Sequence, residues 1–132
     1  MSTRAIDTLH GFIVGNDTMT WSEAEEWCLN HYGRHLVSIH NDSQNDAASN
    51  LCDDCWIGAT CKDSDWGDFS WSDGSDWDYT MWDDGEPNNY AFWDDDEDCV
   101  QQYSSGFWND CPCNQTYRPL CGNAGIATLD TL

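Results

Sequence analysis

Eight cysteines in a chain of 132 residues are the strongest constraint on what this sequence can fold into. An even count at this density, in a chain of single-domain length, reads as up to four disulfides formed in an oxidising compartment. Nine Trp, five Tyr and four Phe supply the material of a core. They argue against a disordered acidic chain, although the net charge is -21 and the mean hydropathy is -0.70. That charge repels phosphate backbones and anionic lipid surfaces, which argues against nucleic-acid binding and disfavours attachment to anionic membranes. Membrane insertion is excluded too, because no stretch approaches the ~20 apolar residues of a span. The acidic groups are then either solvated or gathered around cations. Hard carboxylate and amide oxygens suit Ca²⁺. Sequons at Asn16, Asn41 and Asn114 add an expectation of a secreted glycoprotein. Residues 1–15 lack a long apolar run, so a leader is expected to be missing from this chain.

Along the chain, residues 1–10 read as a lead-in, 11–122 as one domain and 123–132 as a tail. The apolar run at 11–14 predicts a strand. Thr20-Trp21-Ser22-Glu23 matches a capping box, and Ala24, Trp27, Cys28 and His31 then share one helical face. Gly33 ends that helix. Residues 36–39 read as a buried strand. Asn41 to Ser43 cap a shorter helix reaching about Leu51, with Ala47, Ala48 and Leu51 inward. Further short strands are expected at 56–58, 69–71, 99–103 and 117–121. Between residues 52 and 98 lies a long stretch rich in Asp, Gly, Ser, Asn and Trp, whose aromatic content marks a folded functional region.

One group of residues carries chemistry. Glu86, Asn88, Glu97, Asn109 and Asp110 offer three carboxylates and two amide carbonyls. Ca²⁺ takes six to eight oxygens, so this set fits one ion and leaves room for outside oxygens. Zinc would want nitrogen and sulfur ligands.

Glu86-Pro87-Asn88, Glu97-Asp98-Cys99-Val100 and Trp108-Asn109-Asp110 stand in the order found in C-type lectin domains, which the chain resembles from about Gly11 to Cys121. The segments 21–28, 36–39, 56–58 and 71–74, together with Trp82 and 85–89, extend the likeness. The resemblance implies an α+β, C-type lectin-like fold: two helices flanking small antiparallel sheets, a long irregular calcium-binding loop region, and disulfide staples. It implies disulfides Cys28–Cys121 and Cys99–Cys113. It further implies that two vicinal sugar hydroxyls complete the Ca²⁺ shell. Those hydroxyls would also hydrogen-bond to Glu86, Asn88, Glu97 and Asn109, where carboxylates only accept and amide N–H₂ groups only donate. The Glu-Pro-Asn order resembles the mannose-type signature, shared by mannose, fucose, glucose and N-acetylglucosamine, with a cis bond before Pro87.

The chain also departs from the simplest pattern. Residues 89–96 form a longer stretch carrying Tyr90, Phe92, Trp93 and three successive Asp. Trp93 is the candidate to stack on a sugar ring, packing under the loop being the alternative. Candidates for a second Ca²⁺ site are Asp63, Asp65, Asn89, Glu97 and Asp98. Cys52, Cys55, Cys61 and Cys111 leave three pairings open, and a zinc site on Cys52, Cys55 and Cys61 is the rival. Trp56, Trp71, Trp82 and Trp108 read as core, while Trp66 and Trp77 lie in Asp-rich loops.

Enzymatic activity is not expected. No Ser/His/Asp or Cys/His constellation stands out, and one Lys with three Arg leaves little to bind phosphate. The expected function is calcium-dependent binding of glycans or glycoproteins outside the cell. The rival is an acidic extracellular building block of a filament, matrix or mineral, with Ca²⁺ as a stabiliser; ice or protein binding on the same scaffold is a third reading. The similarity of residues 6–9 to 129–132 suggests flanks that could join copies head to tail, as a homo-oligomer, by strand addition.

Overall fold

The computed structural model describes residues 4–6, 10–62, 67–87 and 98–122. In chain order the elements are β1 (Arg4–Ile6), β2 (Ile13–Gly15), α1 (Trp21–Tyr32), α2 (Asp42–Leu51), β3 (Cys55–Thr60), β4 (Ser70–Trp71), β5 (Cys99–Gln102), β6 (Trp108–Cys111) and β7 (Arg118–Cys121). The architecture is the expected C-type lectin-like α+β one.

Helix α1 begins where its chemistry says it should. The Thr20 hydroxyl accepts from the Glu23 amide, and the Glu23 carboxylate accepts from the Thr20 amide. These bonds satisfy two N–H groups that a helix start leaves open. Gly33 ends the helix with φ 66, a left-handed conformation that costs glycine little. The buried face runs through Trp21, Ala24 and Cys28, whereas Trp27 is half-buried and His31 exposed. The inward stripe thus begins at the first helical residue. Asn41 caps α2 by accepting from the Gln44 amide. Ala48 is fully buried, Ala47 and Leu51 pack against the core, and the polar Asn45 is buried as well.

Among the described residues the strands join into one seven-stranded sheet of order β1-β2-β7-β3-β5-β6, with β4 on β3. The pairs are antiparallel except β3 with β7, which run parallel and join the two ends of the sheet. Leu36, Val37 and Ile39 are buried and Ser38 half-buried, but instead of a strand of their own residues 36–39 make one bridge, Leu36 with Cys121, and backbone bonds to β3 and β7. Two elements lie where no strand was expected: β1, inside the lead-in, and β6, inside the proposed ligand motif. β1 pairs with β2 of its own chain. The 123–132 flank falls outside the described residues.

Successive strand residues face opposite sides. Trp56 and Cys99 enter one core cluster with Trp21, Cys28 and Cys111. Ile57 and Val100 enter the other with Phe12, Trp71 and Trp108. Trp56, Trp71 and Trp108 are buried as expected, and Trp82 and Trp77 pack half-buried against the second cluster. Trp66 lies outside the described residues.

Disulfides Cys28–Cys121 and Cys99–Cys113 are formed, and Cys52 pairs with Cys55. The last bridge removes two of the three thiolates that the zinc alternative needed. Cys61 and Cys111 do not supply a fourth bridge. They are buried in different clusters on opposite faces of the sheet, so the expected maximum of four is not reached among the described residues.

Candidate functional site

The proposed ligands stand on two neighbouring pieces of backbone. The first is the segment leading to Pro87. Trp82 bridges to Trp108, the Trp108 amide donates to the Met81 carbonyl at 2.8 Å, and the Asp83 amide donates to the Trp108 carbonyl at 2.9 Å. A turn follows, closed by the Glu86 amide donating to the Asp83 carbonyl at 2.9 Å. Gly85 occupies its third position with φ 78, which a residue bearing a Cβ rarely adopts. Glu86 is half-buried, and the Glu86–Pro87 peptide is cis, as the resemblance implied.

The second piece is β6 itself. It carries Asn109 and Asp110 directly after Trp108, whose indole is fully buried. Asp110 is also completely buried, opposite Val100 in the β5–β6 register. A carboxylate taken out of water must be hydrogen-bonded, paired or bound to a cation. Asn109 faces Gln101 across the same pair of strands, and its amide nitrogen donates to Gln101 Oε1 at 3.2 Å. Gln101 in turn donates from Nε2 to Asp54 Oδ1 at 3.2 Å.

Electrostatics define the surroundings. The Tyr103 hydroxyl is held above the usual tyrosine range, first by burial and then by the carboxylates of Glu86, Asp83 and Asp54. Burial likewise pushes the Cys61 thiol up to about 11, and Asp98 and Asp110 add to the effect. Asp54 is raised by burial and by neighbouring Asp53, against the hydrogen bond from Gln101. Around Tyr103, the carboxylates of Glu86, Asp83 and Asp54 concentrate negative potential, as a divalent cation site requires.

Of the expected calcium ligands, the structure places Glu86, Asn109 and Asp110. Asn88 and Glu97 lie outside the described residues, as do Trp93 and, for the second site, Asp63, Asp65 and Asn89. Among the described residues, no three His, Cys, Asp or Glu side chains gather into a metal-holding group. The chemistry of the five-residue donor set, all hard oxygens, fits Ca²⁺.

Two groups near this region carry no signal in the sequence. Gln101 and Asp54 escape sequence reasoning because β-strand register, not spacing, brings them to Asn109. Away from the loop, His40 Nδ1 sits 2.7 Å from Asp78, and its Nε2 lies 3.0 Å from the Ser75 hydroxyl and 3.2 Å from that of Ser38. Both hydroxyls donate to Asp73, so neither directs its proton at the imidazole as an activated nucleophile would. This cluster ties the loop after β4 to residues 38–40. Among the described residues no helix is long and apolar enough to cross a membrane.

The family profile described as Lectin C-type domain matches residues 17–123, and the chain belongs to that family. It is 36% identical over 121 residues to the human protein named C-type mannose receptor 2; the match covers 88% of this chain but 8% of the receptor. Among solved structures, a cow CD23 C-type carbohydrate-recognition domain, determined in the presence of GlcNAc2Man3 oligosaccharide, superposes with a TM-score of 0.81. Its sequence identity is 28%, over 96% of this chain and 99% of that one. A calcium-independent type II antifreeze protein superposes with a TM-score of 0.78 at 28% identity, over 96% of this chain and 98% of that one.

Proposed function

We propose that this domain binds sugars of the mannose type through a Ca²⁺ ion held by Glu86, Asn88, Glu97, Asn109 and Asp110, and that it does so as a secreted protein. The observation that carries the reading is the pairing of residues 81–83, which lead directly into the Glu86 turn, with Trp108, the residue preceding Asn109 and Asp110 in β6. Two ligand segments far apart in sequence thereby share one corner of the fold. When bound, the ion supplies a Lewis-acidic centre for two vicinal hydroxyls. The chain's own residues do the rest. Glu86 and Glu97 would accept hydrogen bonds from the hydroxyls, Asn88 and Asn109 would donate to hydroxyl oxygens, and Trp93 would offer an apolar face to the ring. The function is binding rather than catalysis. With so few contacting atoms, a single site should hold a monosaccharide at about millimolar Kd, and useful avidity requires several linked sites. Three disulfides support an oxidising compartment.

The test is retention on immobilised mannose in Ca²⁺ and then in chelator, beside a galactose column. Retention on mannose alone, lost on chelation, is the expected result. Retention that survives excess chelator refutes the proposal. Exchanging Glu86→Gln together with Asn88→Asp should abolish retention on mannose, because it swaps the accepting and donating groups that meet the sugar hydroxyls.

A second reading has an observation of its own. The likeness to a calcium-independent antifreeze protein, with the net charge of -21, favours an acidic scaffold acting without sugar, in a matrix or on a crystal surface. Failure on both columns would select it, whether or not Ca²⁺ still raises the melting temperature.

A further inference from the structure

We infer that Asp54 and Gln101 are positioning residues for Asn109: a hydrogen-bonded relay, anchored in the loop closed by the Cys52–Cys55 disulfide, fixes which end of the Asn109 amide is offered to a cation. The role in cation binding rests on the calcium-dependent reading above.

The direction of the relay follows from what each group can do. A carboxylate only accepts hydrogen bonds, so the end of Gln101 that meets Asp54 is its amide nitrogen. A glutamine amide has one nitrogen and one oxygen. Its oxygen is therefore the end that meets Asn109, and what Asn109 gives it is an N–H. Asn109 Oδ1 is thereby turned away from Gln101. One amide hydrogen also remains for a further acceptor, such as a sugar oxygen. The reverse orientation would aim N–H₂ at a cation, which repels it. A neutral residue at position 54 would leave both orientations open. The acidic residue breaks the tie, and it does so with the stronger, charge-assisted kind of bond.

The surroundings keep the relay in register. Gln101 is 3% exposed, so water cannot readily take either partner's place. Gln101 and Asn109 are directly opposed in the β5–β6 ladder. Asp54 has φ 58, and the disulfide from Cys52 to Cys55 closes the chain around it. Its neighbour Asp53 accepts from the Ser104 amide at 2.9 Å, pinning the same loop to the turn after β5. The Cys52-Asp53-Asp54-Cys55 loop therefore acts as an anchor for a ligand on a strand two positions away in the sheet.

Three proteins test this: wild type, D54N, and the double variant D54N/Q101E. In the double variant the carboxylate moves to position 101. There it accepts from the amide introduced at position 54 and from Asn109, and it restores the Asn109 orientation at unchanged net charge. Ca²⁺ binding is measured by titration, and Tb³⁺ is used as a luminescent stand-in whose decay in H₂O and D₂O counts bound waters. D54N is expected to bind Ca²⁺ about tenfold more weakly, the usual cost of losing a residue that orients a ligand. Its Tb³⁺ should carry one additional water, and its melting temperature in chelator should match wild type. The double variant should recover wild-type affinity and hydration. D54N with unaltered affinity and hydration overturns the relay, and so does a double variant no better than D54N. If the wild-type protein binds neither ion, the calcium-dependent reading itself fails and this role fails with it.

Discussion

The indole nitrogen of Trp108 donates to Asn45 Oδ1 at 2.9 Å, joining α2 to β6 in the middle of the core. The same Asn45 oxygen accepts from Gln102 Nε2 at 2.8 Å, and Asn45 Nδ2 donates to the Gly106 carbonyl at 2.9 Å. Asn45 is 2% exposed, so no water stands ready to replace it. Asn45→Ala would strand an indole N–H, and two further groups would lose a partner. The expected cost is about 3–4 kcal/mol, on the basis of 1–3 kcal/mol for each buried group left unmade and partial relaxation. Urea unfolding of the variant measures it. A cost under about 1 kcal/mol would mean the network is not what holds the hairpin to the helix.

Gly58 is a second point where small size is decisive. A Cβ there would lie 2.7 Å from the Leu36 carbonyl oxygen and 3.0 Å from that of Val37, which accepts the Gly58 amide. Both obstacles are backbone, so they cannot step aside as a side chain could. Gly58→Ala should cost about 2 kcal/mol through overpacking, read as a lower urea midpoint at unchanged slope.

Cys28–Cys121 joins α1 to β7 across 93 residues of chain. Replacing both cysteines with Ala should remove about 2–5 kcal/mol, by releasing the unfolded chain from a long closed loop. Calorimetry would show it as a lower melting temperature, with the native circular dichroism retained at low temperature.

Asp73 sets a pH dependence of stability. Burial pushes its carboxyl up. Hydrogen bonds from the Ser38 and Ser75 hydroxyls and the Ser75 amide, with His40 nearby, outweigh that and hold it below the usual 3.8. A depressed aspartate stabilises fully above the unfolded value and loses its contribution as pH falls through the folded one. The melting temperature of Asp73→Asn should therefore lie below wild type at pH 5–7, by about 2–6 °C. The gap should close as pH falls below 3.8. A gap that stays constant through this range would show that the carboxylate charge is not the cause.

Local chemistry made much of the fold legible from the sequence. Thr20, Glu23 and Gly33 bound α1 through interactions within a few residues of one another, so their pattern survives without tertiary context. Asn41 and the apolar positions of α2 behave likewise. Residues 36–39 were harder. An apolar run says that a segment is buried, but whether it pairs as a strand depends on which edges lie beside it, and here it lies against β3 and β7, whose edges are already taken by each other and by β2, β4 and β5. β6 was hidden for the opposite reason: its sequence, Trp-Asn-Asp-Cys, carries ligand chemistry rather than strand propensity.

The candidate site divides the same way. By themselves, the residues determined the kind of chemistry available: oxygen donors for a hard cation, a charge that repels anions, and cysteines for cross-linking. Only the tertiary structure decided which of these meet. It paired the segment leading into the Glu86 turn with Trp108, gave Cys52 to Cys55, and sent Cys61 and Cys111 to opposite faces of the sheet. It also lined up Asp54, Gln101 and Asn109. The physical reason is that side-chain chemistry belongs to single residues. Partner choice is a property of strand register, which a period of two fixes only once the neighbouring strands are in place.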